Sequence, residues 1–219
     1  MTTTEPSAPR ASTPPTSAAP STSAAPSTSP TLSALRAPSL VAGLAMAAMA
    51  ALSPVGLLVA LPAGHTALAA YVALVVATLD VVVAVALLPV LTPGGRLLAQ
   101  IAVALRVTYA AVFAVAGGWL LASADASRFE AVWNAGLLLF GTHLVLVGIA
   151  AVRTGFVPAW IGALVTIAGT GYAIDSTTAA LLPGTGISVS GFTFVGEVVL
   201  LVWLIARGGR PRRSVRLIW

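Results

Sequence analysis

Cysteine is absent from the 219 residues, which excludes disulfides, thiolate metal sites and a cysteine nucleophile. Lysine is absent too, so all eleven basic residues are arginines. Charge of either sign is scarce: charged residues make up 8% of the chain, about a third of the share usual in soluble domains. No HExxH or other metal-ligand spacing, no P-loop, no dinucleotide glycine fingerprint and no serine elbow occurs. The two histidines lie at different depths, His65 in a loop and His143 well inside an apolar run, which argues against a bis-histidine haem. The expectation is therefore of no catalytic, cofactor-binding or metal-binding residues, which leans away from an enzyme and leaves that question open.

What the chain has instead is hydrophobic sequence. Apolar residues make up 58% of it and the mean hydropathy is +0.99. Six apolar runs follow one another at 40–61, 67–91, 97–122, 131–152, 157–176 and 188–206. Each is near the ~20 residues that an α-helix needs to cross a bilayer. Turn chemistry separates them at Pro62–His65, Thr92–Gly95, Ser123–Asp125, Arg153–Gly155 and Pro183–Gly186. The pattern predicts an all-α bundle of six transmembrane helices over 39–207, with a kink at Pro54.

The net charge of +5 and the pI near 11.1 would suit a nucleic-acid binder, but the arginines are badly placed for one. Five of them, Arg207, Arg210, Arg212, Arg213 and Arg216, crowd a basic tail at 208–219 and the helix end beside it. Next to an apolar span, such charge sets orientation or meets anionic lipid head groups. With both termini cytoplasmic, the inner segments carry nine arginines, adding Arg10, Arg36, Arg96 and Arg153, while the outer segments carry Arg128 alone. That asymmetry predicts cytoplasmic N- and C-termini in the plasma membrane. Residues 1–38 are nearly all Ser, Thr, Pro and Ala, with TSAAPS at 16–21 repeated at 22–27. With so little apolar surface they are expected to be a disordered tail, and not a secretory signal.

Four ionisable side chains interrupt the apolar runs: Asp80, Arg106, His143 and Glu197. Counted at 1.5 Å per residue from the cytoplasmic ends, Asp80 lies about 16 Å deep and the other three about 12–13 Å. They share one layer of the bundle. A charge at this depth costs roughly 2.5–3.5 kcal/mol on insertion scales, so such groups face the bundle interior or a water-filled cavity. Asp80 lies on a small-residue stripe with Ala70, Ala73, Ala77 and Ala84; Arg106 shares a face with Ala99, Ala102, Tyr109 and Phe113. Adjacent antiparallel spans make Asp80 with Arg106 the simplest pair, and His143 with Glu197 the other. Gly141 and Gly148 stand seven apart on one span, Gly162 and Gly169 seven apart on the next, and Asn134 joins the first face. Nearly two turns separate each pair, which predicts a tightly packed helical hairpin.

The strings LRVTYA at 105–110, FEAVWNAGLLLFGTHLVLVG at 129–148, GFVPAWIGALVTIAGTGYAIDS at 155–176 and FTFVGEVVLLVWLIARG at 192–208 resemble a family of bacterial multi-pass membrane proteins, domain-of-unknown-function family 4386. The resemblance carries over to Arg106, Tyr109, Trp133, Asn134, Gly136, Gly141, His143, Pro158, Gly169, Tyr172, Asp175, Ser176, Gly196 and Glu197, with Asp80 in a comparable position. The long Ser/Thr/Pro tail and the short link between the first two spans depart from it. It implies a six-helix membrane protein and supplies no reaction.

Two functions fit. In the first, Asp80, Arg106, His143 and Glu197 serve small-solute or proton-linked transport or sensing. In the second, they are ion pairs that lock the fold of an accessory membrane subunit. A third possibility is an intramembrane enzyme built on an outer-face polar cluster of Trp133, Asn134, Tyr172, Asp175 and Ser176, where no nucleophile–base spacing is visible.

Overall fold

In the computed structural model, residues 1–2, 32–182, 189, 191, 194–208 and 210 are described. Most of the N-terminal tail, along with the expected turn at Pro183–Gly186 and with Arg212, Arg213 and Arg216, lies outside them. The described chain is all helical. Helix α1 runs Arg36–Ser53 after a 3₁₀ turn at Leu32–Leu35, α2 is Thr66–Leu91, α3 Arg96–Ser123, α4 Ala126–Arg153, α5 Ala159–Leu181 and α6 Val195–Ala206. Residues 32–38, which the composition assigns to the tail, are thus helical. Leu35 within this segment is buried, as is Ser39 just after it.

Four helical stretches are long and apolar enough to cross a membrane: Ser33–Ala60, Thr66–Gly94, Arg96–Ser123 and Ala126–Arg153. Helix α5 has 23 residues and α6 is described over 12. Long runs of Ala, Val and Leu favour this state because an α-helix satisfies its backbone polar groups within itself, with no call on solvent. The breaks fall where a helix cannot continue. Gly95 (φ 137°) and Gly155 (φ 72°) occupy backbone conformations that side chains rarely adopt. Asp125 starts α4 by accepting the Arg128 amide at 3.0 Å and the Ser127 hydroxyl at 2.7 Å. Those bonds, the Ser127 hydroxyl first, hold its carboxyl below the usual range. Pro54, which has no amide hydrogen to donate, marks the point where α1 widens into π-helical turns over Pro54–Ala60.

The helices form a ring in chain order: each packs on the next, and α6 packs back on α1. Arg36 fastens that closure. Its guanidinium donates to the carbonyls of Ile205 at 2.6 Å, Gly208 at 3.0 Å and Leu204 at 3.3 Å, acceptors that a helix end leaves free. Close by, a Cβ on Gly43 would meet Ile205 Cγ1 at 2.7 Å, so the glycine lets the two backbones approach.

The α4–α5 hairpin is the tightest seam. A Cβ on Gly141 would lie 2.5 Å from the Gly169 carbonyl oxygen and 2.8 Å from the Ala173 amide; one on Gly162 would lie 2.7 Å from the Gly148 oxygen. The relations are reciprocal, Gly141 against Gly169 and Gly148 against Gly162. One more step of seven along each helix brings Asn134 opposite Ser176, whose hydroxyl donates to the Asn134 carbonyl at 2.7 Å. The glycine spacing read from the sequence is therefore an antiparallel register, two helices notched into each other along their length.

Candidate functional site

The ring encloses a cavity of about 330 Å³ to which all six helices contribute. Its polar wall begins with the expected pair of α2 and α3. Asp80 Oδ1 and Arg106 Nη2 are 2.5 Å apart, and both side chains are 1% exposed. Arg106 then reaches α4, where Nη1 lies 3.2 Å from Nε2 of His143. The other ring nitrogen, Nδ1, is 2.7 Å from the Ala102 carbonyl. A carbonyl can only accept, so Nδ1 carries the proton and Nε2 accepts from the guanidinium. His143 is thereby a neutral imidazole with both nitrogens engaged. This corrects the expected pairing of His143 with Glu197: antiparallel neighbours α3 and α4 bring His143 to Arg106, whereas α4 and α6 are separated around the ring by α5.

Glu197 stands on a different wall of the same cavity, partly buried, beside Tyr172 on its lining. Among the described residues no arginine or histidine forms a salt bridge with it. Its position follows from its neighbour. A Cβ on Gly196 would be 3.0 Å from the Val165 amide nitrogen, so the start of α6 lies against the α5 backbone. Adjacent Glu197 then lines the cavity together with Tyr172 of α5.

Aromatic rings continue the wall. Tyr109 stacks on Phe113 with centroids 5.9 Å apart and meets Phe140 at 4.8 Å; Phe140 meets Tyr172 edge-on at 5.2 Å. Trp133 Nε1 donates to the Tyr109 hydroxyl at 3.2 Å and its ring lies 5.9 Å from Phe113. Arg106 itself sits over Phe140, 5.2 Å from the centroid, a cation–π contact. Gly136 makes room for this assembly, because a Cβ there would press on the Tyr109 ring at 3.3 Å.

The outer-face cluster expected from the sequence does not act as one unit. Trp133 and Tyr172 line the central cavity. Asn134 and Ser176 bond each other across the hairpin, and Asp175 Oδ1 accepts the Val189 amide at 2.7 Å. The cavity also uses residues that no motif singled out, among them Met46, Met49, Leu137 and Phe194. A helical-face count from Arg106 does reach Tyr109 and Phe113, three and seven residues on. No local pattern in α1 marks its methionines as cavity walls, since they become so only when α1 closes the ring.

The polar wall is not saturated. Arg106 Nε is buried with no hydrogen-bond partner among the described residues. The lining residues that stay exposed, Ala50, Pro54, Phe194 and Val198, belong to α1, to the π-helical turns that follow it, or to the cap and first turn of α6. The rim of the cavity is therefore the α1–α6 side of the ring, next to the π-helical turns.

Comparison with known proteins places this arrangement. The family model described as Domain of unknown function (DUF4386) matches residues 41–208, which run from within α1 through the end of α6 and include every charged residue of the cavity. The chain belongs to that family. An uncharacterized protein of Archaeoglobus fulgidus is 37% identical over 130 residues, 59% of this chain and 77% of the relative. No solved structure matches.

Proposed function

We propose that this DUF4386 chain is a multi-pass protein of the plasma membrane with both termini cytoplasmic, and that its central cavity takes a small solute in transport or sensing. The orientation is supported by the distribution of arginines. The Arg36 bonds bring the start of α1 and the end of α6 to one end of the bundle, and the turn at Gly94 lies against Ala150, near the end of α4. That end therefore carries Arg36, Arg96, Arg153 and Arg207, while Arg128 is at the start of α4. Arg207, Arg210, Arg212, Arg213 and Arg216 would meet anionic lipid head groups there.

The observation that carries the solute reading is the unfinished state of the polar wall. A lock that only holds helices together should satisfy every group it buries, because an unpaired buried donor costs about 1–3 kcal/mol. Among the described residues Arg106 Nε has no hydrogen-bond partner, and Glu197 faces the cavity with no salt bridge to a cation. These are groups left for something that enters. Proton linkage would run through Glu197, the carboxyl of the wall that has no salt-bridge partner among the described residues.

The accessory-subunit reading rests on the other half of the same wall, where Asp80, Arg106 and His143 form a closed chain of contacts. One measurement separates the two. The chain has no cysteine, so Leu137→Cys on the cavity wall and Ala84→Cys, buried in helix packing, each introduce a single thiol. In folded protein in membranes, a water-soluble methanethiosulfonate should modify position 137 at least tenfold faster than position 84. Equal protection of both would make the cavity dry and favour the accessory subunit.

A further inference from the structure

We propose that the cavity is a binding site for a small organic ammonium ion carrying a short apolar group. This rests on the reading that the cavity takes a solute and goes on to name the class. The first argument is charge. Three charged side chains line the cavity, Asp80, Arg106 and Glu197. Asp80 and Arg106 neutralise each other in direct contact. His143, with Nε2 accepting and Nδ1 donating to a carbonyl, adds no charge. Glu197 is left, a carboxyl with no salt-bridge partner among the described residues. In a low-dielectric interior a lone carboxyl takes up a proton unless a cation faces it, and a cationic occupant would let it stay ionised. A carboxylate occupant offers no such pairing.

The second argument is independent of charge counting. The rings of Tyr109, Phe113, Trp133, Phe140 and Tyr172 form a continuous aromatic lining around the same space, with successive centroids 4.8–5.9 Å apart. Aromatic faces attract cations through their quadrupole, and aromatic cages are a recurrent way to hold an ammonium group. The wall already binds one cation in this way, the Arg106 guanidinium over Phe140. Glu197 and Tyr172 supply the hydrogen-bond acceptors that an ammonium N–H needs.

The third argument is size and the remaining surface. A space of about 330 Å³ is at the small end of the range for ligand pockets, enough for a molecule of roughly ten non-hydrogen atoms at ~30 Å³ each. Away from the charged wall it is lined by Met46, Met49, Val76 and Leu201, which favours an apolar tail over a second polar group. Arg106 Nε stays available to an acceptor on that tail or to a water.

The test uses three probes of nearly equal shape: phenethylammonium, 2-phenylethanol and phenylacetate. Binding to the full-length protein in lipid nanodiscs at neutral pH is measured by isothermal titration calorimetry, with empty nanodiscs as the reference. Phenethylammonium is expected to bind at least tenfold tighter than the alcohol, and phenylacetate weakest of all. Glu197→Gln should cut the ammonium affinity about tenfold and leave the alcohol unchanged, and Glu197→Asp should restore part of the loss. Preference for phenylacetate or the alcohol would overturn the ammonium assignment while leaving a solute site in place. Binding of none of the three, with Leu137→Cys protected from the thiol reagent, would overturn both. If Glu197→Gln does not fold, the ranking of the three probes on the unsubstituted protein decides by itself.

Discussion

The two sides of the helix ring are built on opposite principles. Along the α4–α5 seam, glycines face backbone atoms of the opposite helix at distances no side chain could tolerate, and nothing fits between them. Across the ring, α1 and α6 contribute the exposed edge of a cavity that holds two carboxylates, a guanidinium and several aromatic rings. A bilayer offers no hydrophobic drive for one apolar helix to leave lipid for another, so close packing, hydrogen bonds and lipid entropy must supply it. The hairpin supplies the packing. A rigid seam on one side lets the other side keep a space and leave polar groups incompletely paired.

That contrast can be broken first at the seam. Gly148→Leu puts a branched side chain where even a Cβ would be 2.5 Å from the Gly162 carbonyl oxygen and 2.9 Å from the Thr166 amide. Backbone on both sides leaves nothing that can yield cheaply, so the expected outcome is loss of folded protein, read as collapse of the monodisperse peak in detergent gel filtration. Leu137→Ala, on the cavity wall, should leave that peak intact. If Gly148→Leu folds normally, the seam is not the rigid half of the molecule.

The second test strikes the cavity wall. Arg106→Met leaves Asp80 buried without its partner, a change that costs about 3–5 kcal/mol for buried pairs. Removing both charges together, Asp80→Leu with Arg106→Met, should recover most of that loss, because the penalty comes from the stranded carboxylate. Unfolding in mixed micelles measures both. A double variant as unstable as the single one would mean that the pair contributes more than mutual neutralisation.

Smaller effects sharpen the comparison at its edges. Arg36→Met removes three bonds to the end of α6 and should cost about 2 kcal/mol, with faster hydrogen exchange confined to 200–208. Exchange spreading into α4 and α5 would contradict the independence of the two sides. The smallest effect is at Asp125, where the folded carboxyl titrates below its usual range. A depressed folded value contributes stability that is present at neutral pH and disappears as the pH falls through that lowered value. Acidification should therefore speed exchange in the first turn of α4, and Asp125→Asn should remove the pH dependence. Unchanged exchange in the unsubstituted protein would show that the cap does not hold the turn.

Much of this architecture is legible in the residues because its causes are local. Helix ends at Leu91, Ser123 and Arg153 fall within a residue of the expected limits, since Pro, Gly and Asp act on the backbone where they stand. The seven-residue glycine spacing announces the hairpin because it repeats on two consecutive helices with one short turn between them. Asp80 and Arg106 find each other for the same reason. The error over His143 has a different origin. Four ionisable residues at one depth carry no record of their angles around the bundle, and only the ring order shows that Arg106 is near enough to take both partners.

The cavity belongs to the same class. Nothing in the α1 sequence distinguishes Met46 and Met49 from lipid-facing methionines, and Arg36 reads as one more arginine beside a span until α6 comes round to meet it. Helix positions, apolar runs, the layer of ionisable residues and the glycine register follow from the sequence alone, because periodicity and turn chemistry act over a few residues. Ring closure, the neutral state of His143, the meeting of Glu197 and Tyr172 on one cavity lining and the space they face depended on tertiary structure. Those features require helices far apart in the chain to share one surface, and their residues do not record that angle.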